Sequence, residues 1–213
     1  MLALVIANGD LTEIAGFPDL PDKVDLVIAV DGGANHCHRL GIVPDILIGD
    51  LDSIAPDVLQ GLQDKDVAMH LHPPRKDATD LELALDLAME RGARAIYLLA
   101  GLGGRWDMSL ANVLLLASKK YQPLRCTVVE PTCTMYVLHP GTVFTVSGAP
   151  GQRVSLLPLA GTVRGVTLQG FEYPLKDATL HPGSTQGISN VFVGHTASVQ
   201  FEVGILLCIH LHP

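Results

Sequence analysis

The chain has 213 residues, of which 48% are hydrophobic and 17% are charged, and its formal net charge is −8. This composition excludes a disordered chain, and the negative charge disfavours a nucleic-acid partner, which requires a basic surface. No apolar stretch is long enough to cross a bilayer and the four cysteines form no CxxC pair, so we expect no membrane partner and reduced thiols in the cytoplasm.

The first half of the chain alternates short apolar runs with helical patterns. Strands are predicted at residues 2–7, 25–30, 46–48 and 95–99, because these runs are aliphatic or β-branched without polar alternation. The start, MLALVIANGD, lacks a basic region and is interpreted as the first of these strands rather than a signal peptide. Helices are predicted at residues 33–40, 80–91 and 106–121. The order predicts an α/β fold with an open, doubly wound, mostly parallel sheet.

The amino-acid composition changes from about Leu124, where Val, Thr, Gly and Pro replace the helix-forming residues. Strands are predicted at residues 142–146, 153–157, 197–203 and 205–211, with Gly204 as a turn between the last two. Such runs are typical of an antiparallel sandwich or barrel. We therefore predict an α/β domain over residues 1–135, followed by an all-β sandwich domain over residues 136–213.

Six aspartates fall where predicted strands end and helices begin. In an open α/β sheet, ligands bind at the carboxyl ends of the strands, so we expect these carboxylates to meet at one edge. Crowded carboxylates repel one another, and Mg²⁺ or Ca²⁺ relieves that repulsion. Taken singly, each segment is equally well explained as a polar turn or a helix cap. The six residues are Asp31, Asp50, Asp52, Asp77, Asp80 and Asp107.

Glycines and basic residues stand in the same segments, which include Gly32-Gly33 and Gly103-Gly104. A bare glycine backbone can approach a phosphate, and Lys76 and Arg105 can neutralise its charge. Acid, glycine and base together indicate phosphoryl chemistry. The sequence has no GxxxxGK[ST], no GxGxxG after the first strand and no GxSxG, which excludes a P-loop enzyme and disfavours a dinucleotide fold or a serine hydrolase.

Five motifs, covering nearly the whole chain, resemble those of thiamine pyrophosphokinase. Four lie in the first domain: DGGAN, PDILIGDLDS, KDATDLELAL and GGRWDMSLANVLLL. The fifth, YPLKDATLHPGSTQGISN, looks like the thiamine-domain signature of bacterial members. The resemblance implies transfer of a pyrophosphoryl group from ATP to the hydroxyl of thiamine, giving thiamine diphosphate and AMP, with Mg²⁺ as cofactor. It also implies a homodimer with active sites at the subunit interface.

The resemblance assigns roles motif by motif. The expected Mg²⁺ ligands are Asp50, Asp52 and Asp77, and the catalytic set is completed by Lys76 and Asp80. The acidic cluster also includes Asp31, and the residues expected to bind the nucleotide are Asp31, Gly32, Gly33, Asn35, Gly103, Gly104, Arg105 and Asp107. In the second domain, the residues expected to bind thiamine are Ser184, Thr185, Ser189 and Asn190. The first domain would then bind ATP and Mg²⁺, and the second would bind thiamine and the dimer partner.

The chain departs from the family pattern in two places. Met108 stands where many relatives carry a histidine, and no aromatic residue near the GISN loop is identified as a stacking partner for thiamine. The single tryptophan, Trp106, is interpreted as a core residue. The apolar stripe of the last predicted helix of the first domain is interpreted in the same way; it comprises Leu110, Val113, Leu114 and Ala117.

Two other functions stay open. One is a different Mg²⁺-dependent nucleotide or sugar-nucleotide transferase, since Asp-x-Asp at a strand end suits sugar nucleotides; it leaves the loop GSTQGISN unexplained. The other is a non-catalytic sensor of thiamine or of a nucleotide that keeps the pocket. Incubation with Mg-ATP and thiamine separates all three functions.

Overall fold

The structure is a computed structural model, and it describes residues 1–11 and 20–212. The chain forms two compact units, of which the first comprises residues 1–115 and 126–131, and the second comprises residues 116–125 and 132–213. The predicted domain boundary after residue 135 stays a prediction. In the described parts of the chain, no helix combines the length and the apolar character needed to cross a membrane.

Within these described ranges, the first unit contains six strands and four α-helices. The strands are β1 (Leu2–Ile6), β2 (Leu26–Val30), β3 (Ile46–Gly49), β4 (Ala68–Leu71), β5 (Ala95–Leu99) and β6 (Arg125–Glu130). The helices are α1 (Gly33–Leu40), α2 (Pro56–Gln63), α3 (Asp80–Glu90) and α4 (Trp106–Leu116). The strand order is β6-β5-β1-β2-β3-β4, and the neighbours from β5 to β4 pair in parallel. The predicted parallel α/β sheet is therefore confirmed.

Helices cover both faces of this sheet. Leu4 and Ile6 of β1 pack in one apolar cluster with residues of α1 and α2. Ala3 and Val5 are equally buried, and because side chains alternate along a strand they point to the opposite face. Helix α3 packs on β1, β2 and β3 and covers that second face. Burial on both faces explains why these strands lack polar alternation, and the doubly wound layering is confirmed.

Helix boundaries follow local signals in the sequence. Helix α1 ends at Gly41, which has a φ of +71° and closes the last turn with its own N–H. Helix α3 begins after Thr79, whose hydroxyl accepts the Glu82 N–H at 3.2 Å in a capping box. Helix α4 ends at Leu116, earlier than the predicted residue 121, because Ser118 is extended and begins a separate 3₁₀ turn.

The second unit contains eight strands in two antiparallel sheets within the described residues. The strands are β7 (Cys133–Leu138), β8 (Phe144–Ser147), β9 (Arg153–Pro158), β10 (Val163–Gln169), β11 (Leu175–Leu180), β12 (Asn190–Val191), β13 (Thr196–Gln200) and β14 (Leu206–Leu211). One sheet has the order β12-β9-β14-β7, and the other has the order β11-β10-β13-β8. The predicted all-β sandwich is confirmed.

The two sheets of the second unit share one core. Leu156 and Leu206 from the first sheet and Val166 and Val199 from the second belong to the same buried cluster. In β13, buried and accessible residues alternate, which is the pattern expected of a strand with one inner face. The core therefore fixes the sandwich and leaves its loops free to carry other functions.

Candidate active site

A pocket of about 590 Å³ opens at the carboxyl ends of the parallel strands. This is the edge at which open α/β sheets bind ligands. Seven of the predicted site residues line it: Asp31, Asp50, Lys76, Asp80, Gly103, Gly104 and Arg105. Met108, the residue that departs from the expected motif, also lines it. Most of the site residues predicted in the first domain from their position at strand ends therefore line one shared cavity.

Three carboxylates gather at one side of this edge. Asp31, Asp50 and Asp52 each offer an oxygen, and these oxygens lie within 4.8 Å of one another. Burial raises the pKa of Asp31, and the charges of Asp50 and Asp52 raise it further, although hydrogen bonds from Ser53 and Gly32 oppose the shift. Asp31 Oδ1 is buried and has no hydrogen-bond partner. A buried carboxylate oxygen of this kind, beside two other carboxylates, fits a hard divalent cation.

The backbone is strained where these side chains are presented. Asp31 has a φ of +47° and Leu51, between Asp50 and Asp52, has a φ of +67°. Ala100, directly after β5, has a φ of +52°. Residues other than glycine seldom adopt such angles, and each costs on the order of 1–3 kcal/mol. All three strained residues follow a strand of the same sheet, where they turn the chain sharply toward the pocket.

Lys76 and Asp80 form an ion pair that faces the pocket. The Lys76 ammonium lies 2.8 Å from Asp80 Oδ1, in a geometry that is not that of a hydrogen bond. Lys76 also donates to the carbonyl of Pro73 at 3.2 Å. Asp77, which was predicted as a metal ligand, is exposed and lies outside the group of three carboxylates. In the structure, the third carboxylate beside Asp50 and Asp52 is that of Asp31, where the prediction had Asp77.

Four residues predicted to bind the nucleotide make other contacts. An added Cβ on Gly32 would lie 2.2 Å from Asn8 Oδ1, and one on Gly33 would lie 2.0 Å from the Ile6 carbonyl oxygen, so both glycines allow α1 to start close against β1. Asn35 holds the loop after β3, because its amide donates to the Ser53 carbonyl at 2.9 Å and accepts from the Ala55 N–H at 3.0 Å.

The fourth residue, Asp107, pairs with Arg105 on the surface. Arg105 Nε donates to Asp107 Oδ1 at 3.2 Å, and a second contact joins the same two side chains. This hydrogen bond lowers the pKa of Asp107. Both side chains are mainly exposed, so their ion pair contributes little to the free energy of unfolding. Its effect is to orient the Arg105 side chain at the rim of the pocket.

The loop after β1 was missed as part of the pocket. Asn8, Gly9 and Asp10 all line the cavity. The Gly9 N–H donates to the Ala100 carbonyl at 2.8 Å and the Asp10 N–H donates to the Leu102 carbonyl at 2.8 Å, which joins this loop to the segment after β5. The signal was present, because the polar triplet NGD follows the first predicted strand just as DGGAN follows the second.

Three buried polar side chains hold the backbone of the pocket wall, and two of them, Ser109 and Asn112, also line the pocket. Asn112 donates from Nδ2 to the Gly101 carbonyl at 2.7 Å, and the Ser109 hydroxyl accepts the Gly103 N–H at 3.1 Å. Glu130, at the end of β6, accepts the Leu102 N–H at 3.3 Å. Burial raises the pKa of Glu130 to about 7. All three side chains therefore act on the segment of residues 100–105, which we call the glycine loop (AGLGGR).

The predicted thiamine loop lies in the second unit. Ser184, Thr185 and Ser189 are exposed, and Ser189 has a φ of +57° while its N–H donates to the Ser155 hydroxyl at 3.0 Å. Asn190 is buried and its amide is used internally. It accepts the Tyr173 N–H at 3.0 Å and donates to the Tyr173 carbonyl at 2.8 Å. The amide of Asn190 thus fixes the loop, whereas the prediction gave it a ligand contact.

An aromatic residue beside this loop was missed. The two hydrogen bonds from Asn190 hold the backbone of Tyr173, and the Tyr173 side chain is 61% exposed. Tyr173 is joined through its backbone to Asn190, the last residue of the GISN segment, so its exposed ring is available beside that segment's attachment point. The sequence signal was the motif YPL itself, in which Tyr173 stands seventeen residues before Asn190.

Two of the four residues of the predicted stripe on α4, Leu110 and Leu114, are exposed, and so is Trp106, so the interpretation of these three as core was wrong. Val113 is partly buried. Trp106 is 82% exposed, and Leu110 and Leu114 are 51% and 53% exposed. Their spacing of four residues places them on one face of the helix. Ala117, by contrast, is buried as predicted. The first unit therefore carries an apolar face, defined by Trp106, Leu110 and Leu114, that begins one residue after the pocket-lining Arg105.

Fold and pocket together define a transferase-like class, an α/β unit with an acidic, glycine-lined site followed by an antiparallel sandwich. The family model for the thiamin pyrophosphokinase catalytic domain matches residues 17–128, and the model for the vitamin B1 binding domain of the same enzyme matches residues 141–206. The chain belongs to the thiamine pyrophosphokinase family.

Individual relatives agree with this placement. Thiamine pyrophosphokinase from Bacillus subtilis is 30% identical over 205 residues, which cover 96% of each chain. A crystal structure of the Bacillus subtilis enzyme superposes with a TM-score of 0.87 over 99% of both chains. The Geobacillus thermodenitrificans structure gives a TM-score of 0.84 at 31% identity, over 100% of this chain and 98% of that one.

Replacing Glu130 with Gln tests the cost of burying its carboxyl group. Because the pKa of Glu130 rises from its usual 4.5 to about 7 on folding, the folded chain keeps a proton that the unfolded chain loses. The free energy of unfolding of the wild type therefore falls as the pH rises between these values, by on the order of 3 kcal/mol from this group, and is level above them. Urea denaturation at several pH values should show a smaller fall for Glu130→Gln. Parallel curves for the two proteins would contradict the assignment.

Proposed function

We propose that this chain transfers a pyrophosphoryl group from ATP to the hydroxyl of thiamine at the pocket on the carboxyl edge of its parallel sheet. The reaction is that of its family, and the assignment of the site to individual residues is our proposal. The single observation that carries it is a set of three carboxylates within 4.8 Å, of which Asp31 and Asp50 line the glycine-rich pocket. Thiamine diphosphate and AMP are the products.

The carboxylates fit a divalent cation, and we assign Asp31, Asp50 and Asp52 to hold Mg²⁺. The partnerless, buried oxygen of Asp31 supports this assignment. When bound, Mg²⁺ supplies positive charge against the phosphate oxygens of the nucleotide. Asp77, predicted as a ligand, lies outside this group of three carboxylates, so it is not among the residues that we assign.

The other pocket residues bind and orient the nucleotide. Gly103 and Gly104 present backbone without side chains, which allows close approach of phosphates. Lys76 carries positive charge toward the same cavity and is held in place by Asp80. The thiamine hydroxyl attacks the β-phosphorus in line, and its proton passes to solvent. The bond from the β-phosphorus to the oxygen shared with the α-phosphate breaks and AMP leaves, and positioning and electrostatics provide most of the acceleration. Since Asp80 is engaged with Lys76, its role is to hold that charge rather than to remove a proton.

The assay uses the purified chain with Mg-ATP and thiamine, and measures AMP and thiamine diphosphate. Both products in equal amounts support the proposal. Binding of thiamine or ATP without turnover supports the sensor function. In a parallel reaction, a sugar nucleotide replaces ATP, and transfer from it but not from ATP supports the third function. Each outcome identifies one of the three functions that the sequence left open.

Asp50→Asn should lower kcat by roughly 10²–10³, because removing one group that stabilises transition-state charge typically costs this much. The matched control is Asp66→Asn, an exposed aspartate with a φ of +55° that asparagine tolerates well. Steady-state rates of AMP formation measure both variants, and circular dichroism confirms that both are folded. Activity of Asp50→Asn within about tenfold of the wild type would exclude Asp50 as an essential metal ligand.

For thiamine we propose the loop around Ser189 with Tyr173 as the stacking residue. Thiamine carries a positive charge, and an exposed aromatic ring attracts a cation through its π face. The side chain of Asn190, which directly follows the strained Ser189, holds the backbone of Tyr173 through two hydrogen bonds. Ser184 and Thr185 lie on the exposed part of the same loop. Residues 136–213 would accordingly supply the thiamine contacts, as predicted from the sequence.

Tyr173→Ala should raise the KM for thiamine by roughly three- to thirtyfold and leave the KM for ATP unchanged, which corresponds to the loss of one cation–π contact. Tyr173→Phe keeps the ring and should stay within about twofold of the wild type. Initial rates with each substrate varied in turn separate the two constants. An equal rise in both constants for Tyr173→Ala would argue against a thiamine platform at this position.

We also propose that the chain works as a homodimer. The apolar face of Trp106, Leu110 and Leu114 supports this, because contiguous apolar side chains on a surface mark a contact with another chain. It adjoins the pocket-lining Arg105, so a second copy seated there would lie beside the nucleotide site and complete an active site at the subunit interface. This face belongs to the first unit, which extends the dimer contact beyond the predicted residues 136–213. The four free and buried cysteines support a cytoplasmic location.

The double substitution Leu110→Asp and Leu114→Asp should convert the dimer to a monomer of 22.7 kDa, since it places two charges in an apolar contact. Sedimentation equilibrium measures the mass. Val43→Asp is the control, because Val43 is 48% exposed and lies away from α4 in the sequence. A wild-type monomer at micromolar concentration, or a double variant that remains dimeric, would contradict the proposed interface.

A further inference from the structure

The burial of polar groups in the first unit is concentrated on one loop. In the described part of that unit, the buried polar side chains are Ser109, Asn112 and Glu130, each 8% exposed. Burying a polar group costs free energy unless it is hydrogen-bonded. Each of these three side chains forms hydrogen bonds with the backbone of the glycine loop, residues 100–105. Three such desolvation costs at one loop indicate that the protein requires this loop in a fixed position.

The contacts run almost residue by residue along the loop. Asn112 donates to the Gly101 carbonyl, and Glu130 accepts the N–H of the next residue, Leu102. Ser109 contacts three backbone groups, because its hydroxyl accepts from the Gly103 N–H at 3.1 Å and lies within donating distance of the Gly103 and Arg105 carbonyls, at 3.2 and 3.0 Å.

The loop also needs this support. Its first residue, Ala100, has a φ of +52°, a conformation that persists only where the surroundings hold it. On its other side it is bound to the loop after β1 through Gly9 and Asp10. The negative charge of Asp10 also opposes ionisation of Glu130. The glycine loop is therefore fixed from two sides, which pre-organises it before a ligand binds.

We infer that Ser109, Asn112 and Glu130 are positioning residues that hold the glycine loop in its nucleotide-binding geometry and thereby set the affinity for ATP. The inference rests on the proposed function, since it takes the pocket to be the ATP site. These residues act through the loop backbone and have no part in the transfer step. A change in any of them alters the KM for ATP, and kcat at saturating ATP and the KM for thiamine stay the same.

The test is Ser109→Ala, which removes one hydroxyl and no larger group. We expect the KM for ATP to rise about tenfold, the usual effect of losing hydrogen bonds of this kind. Ser118→Ala is the matched control, because Ser118 Oγ is buried without a hydrogen-bond partner. It should leave the KM for ATP within about twofold of the wild type. Glu130→Leu, which removes both acceptor oxygens at similar size, should raise the KM for ATP in the same direction as Ser109→Ala.

A second measurement separates positioning from simple stability. Hydrogen exchange at the Gly103 amide should accelerate in Ser109→Ala at a temperature where the protein stays folded, and exchange in the sheet should not change. A lowered Tm with unchanged KM for ATP and unchanged loop exchange would overturn the inference. If the wild type forms no AMP from ATP and thiamine, the proposed function fails. If it forms AMP and Ser109→Ala has the wild-type KM, only the inference fails.

Discussion

Like charges held together at the edge of a buried parallel sheet are the constraint on which the rest of this structure depends. Asp31, Asp50 and Asp52 repel one another, and burial of Asp31 adds to the cost. Such a group stays in place only because the strands that carry it, Leu26–Val30 and Ile46–Gly49, are buried throughout their length. The apolar core thus supplies the free energy that keeps the acidic residues close.

The backbone conformations around the pocket follow from the same constraint. Each strand must turn sharply as it leaves the sheet, and the turns at Asp31, Leu51 and Ala100 all use positive φ angles. Gly9 and Gly33 permit the close backbone contacts that such turns require, since an added Cβ on either would lie 2.0 Å from a carbonyl oxygen. Strain, close packing and buried hydrogen bonds therefore occur together at one edge, as is typical of functional sites.

Most of the fold could be predicted from the sequence because periodicity and composition report burial directly. Unalternating strands such as Ala95–Leu99 and the break in composition near Leu124 gave both units. The helix Pro56–Gln63 and the strand Ala68–Leu71 were not predicted, since AMHL contains no β-branched residue and the helix is short. The α4 stripe was misjudged because periodicity shows that a face is apolar but does not show what covers it.

The site was predictable where residue type and chemistry coincide, as with the carboxylates after β2 and β3. The site was less predictable where a polar side chain forms hydrogen bonds with the backbone and not with a ligand. Asn35 and Asn190 were predicted to bind ligands, and both use their amides to tie loops together. Sequence cannot separate these roles, because an asparagine has the same donors and acceptors in either one. The Ser109 and Glu130 contacts were not predicted for a related reason, because each of these side chains binds a backbone N–H. Backbone groups are the same at every residue, so the sequence does not show which of them a side chain will bind.

The solvent-facing position of Trp106 has a consequence for observing the protein. It is the single tryptophan of the chain, and it follows Arg105 at the rim of the pocket. Indole fluorescence from this molecule accordingly comes from one chromophore at one place, with no signal from the sandwich. The chain carries an intrinsic optical reporter whose emission wavelength registers how much water surrounds the first turn of α4.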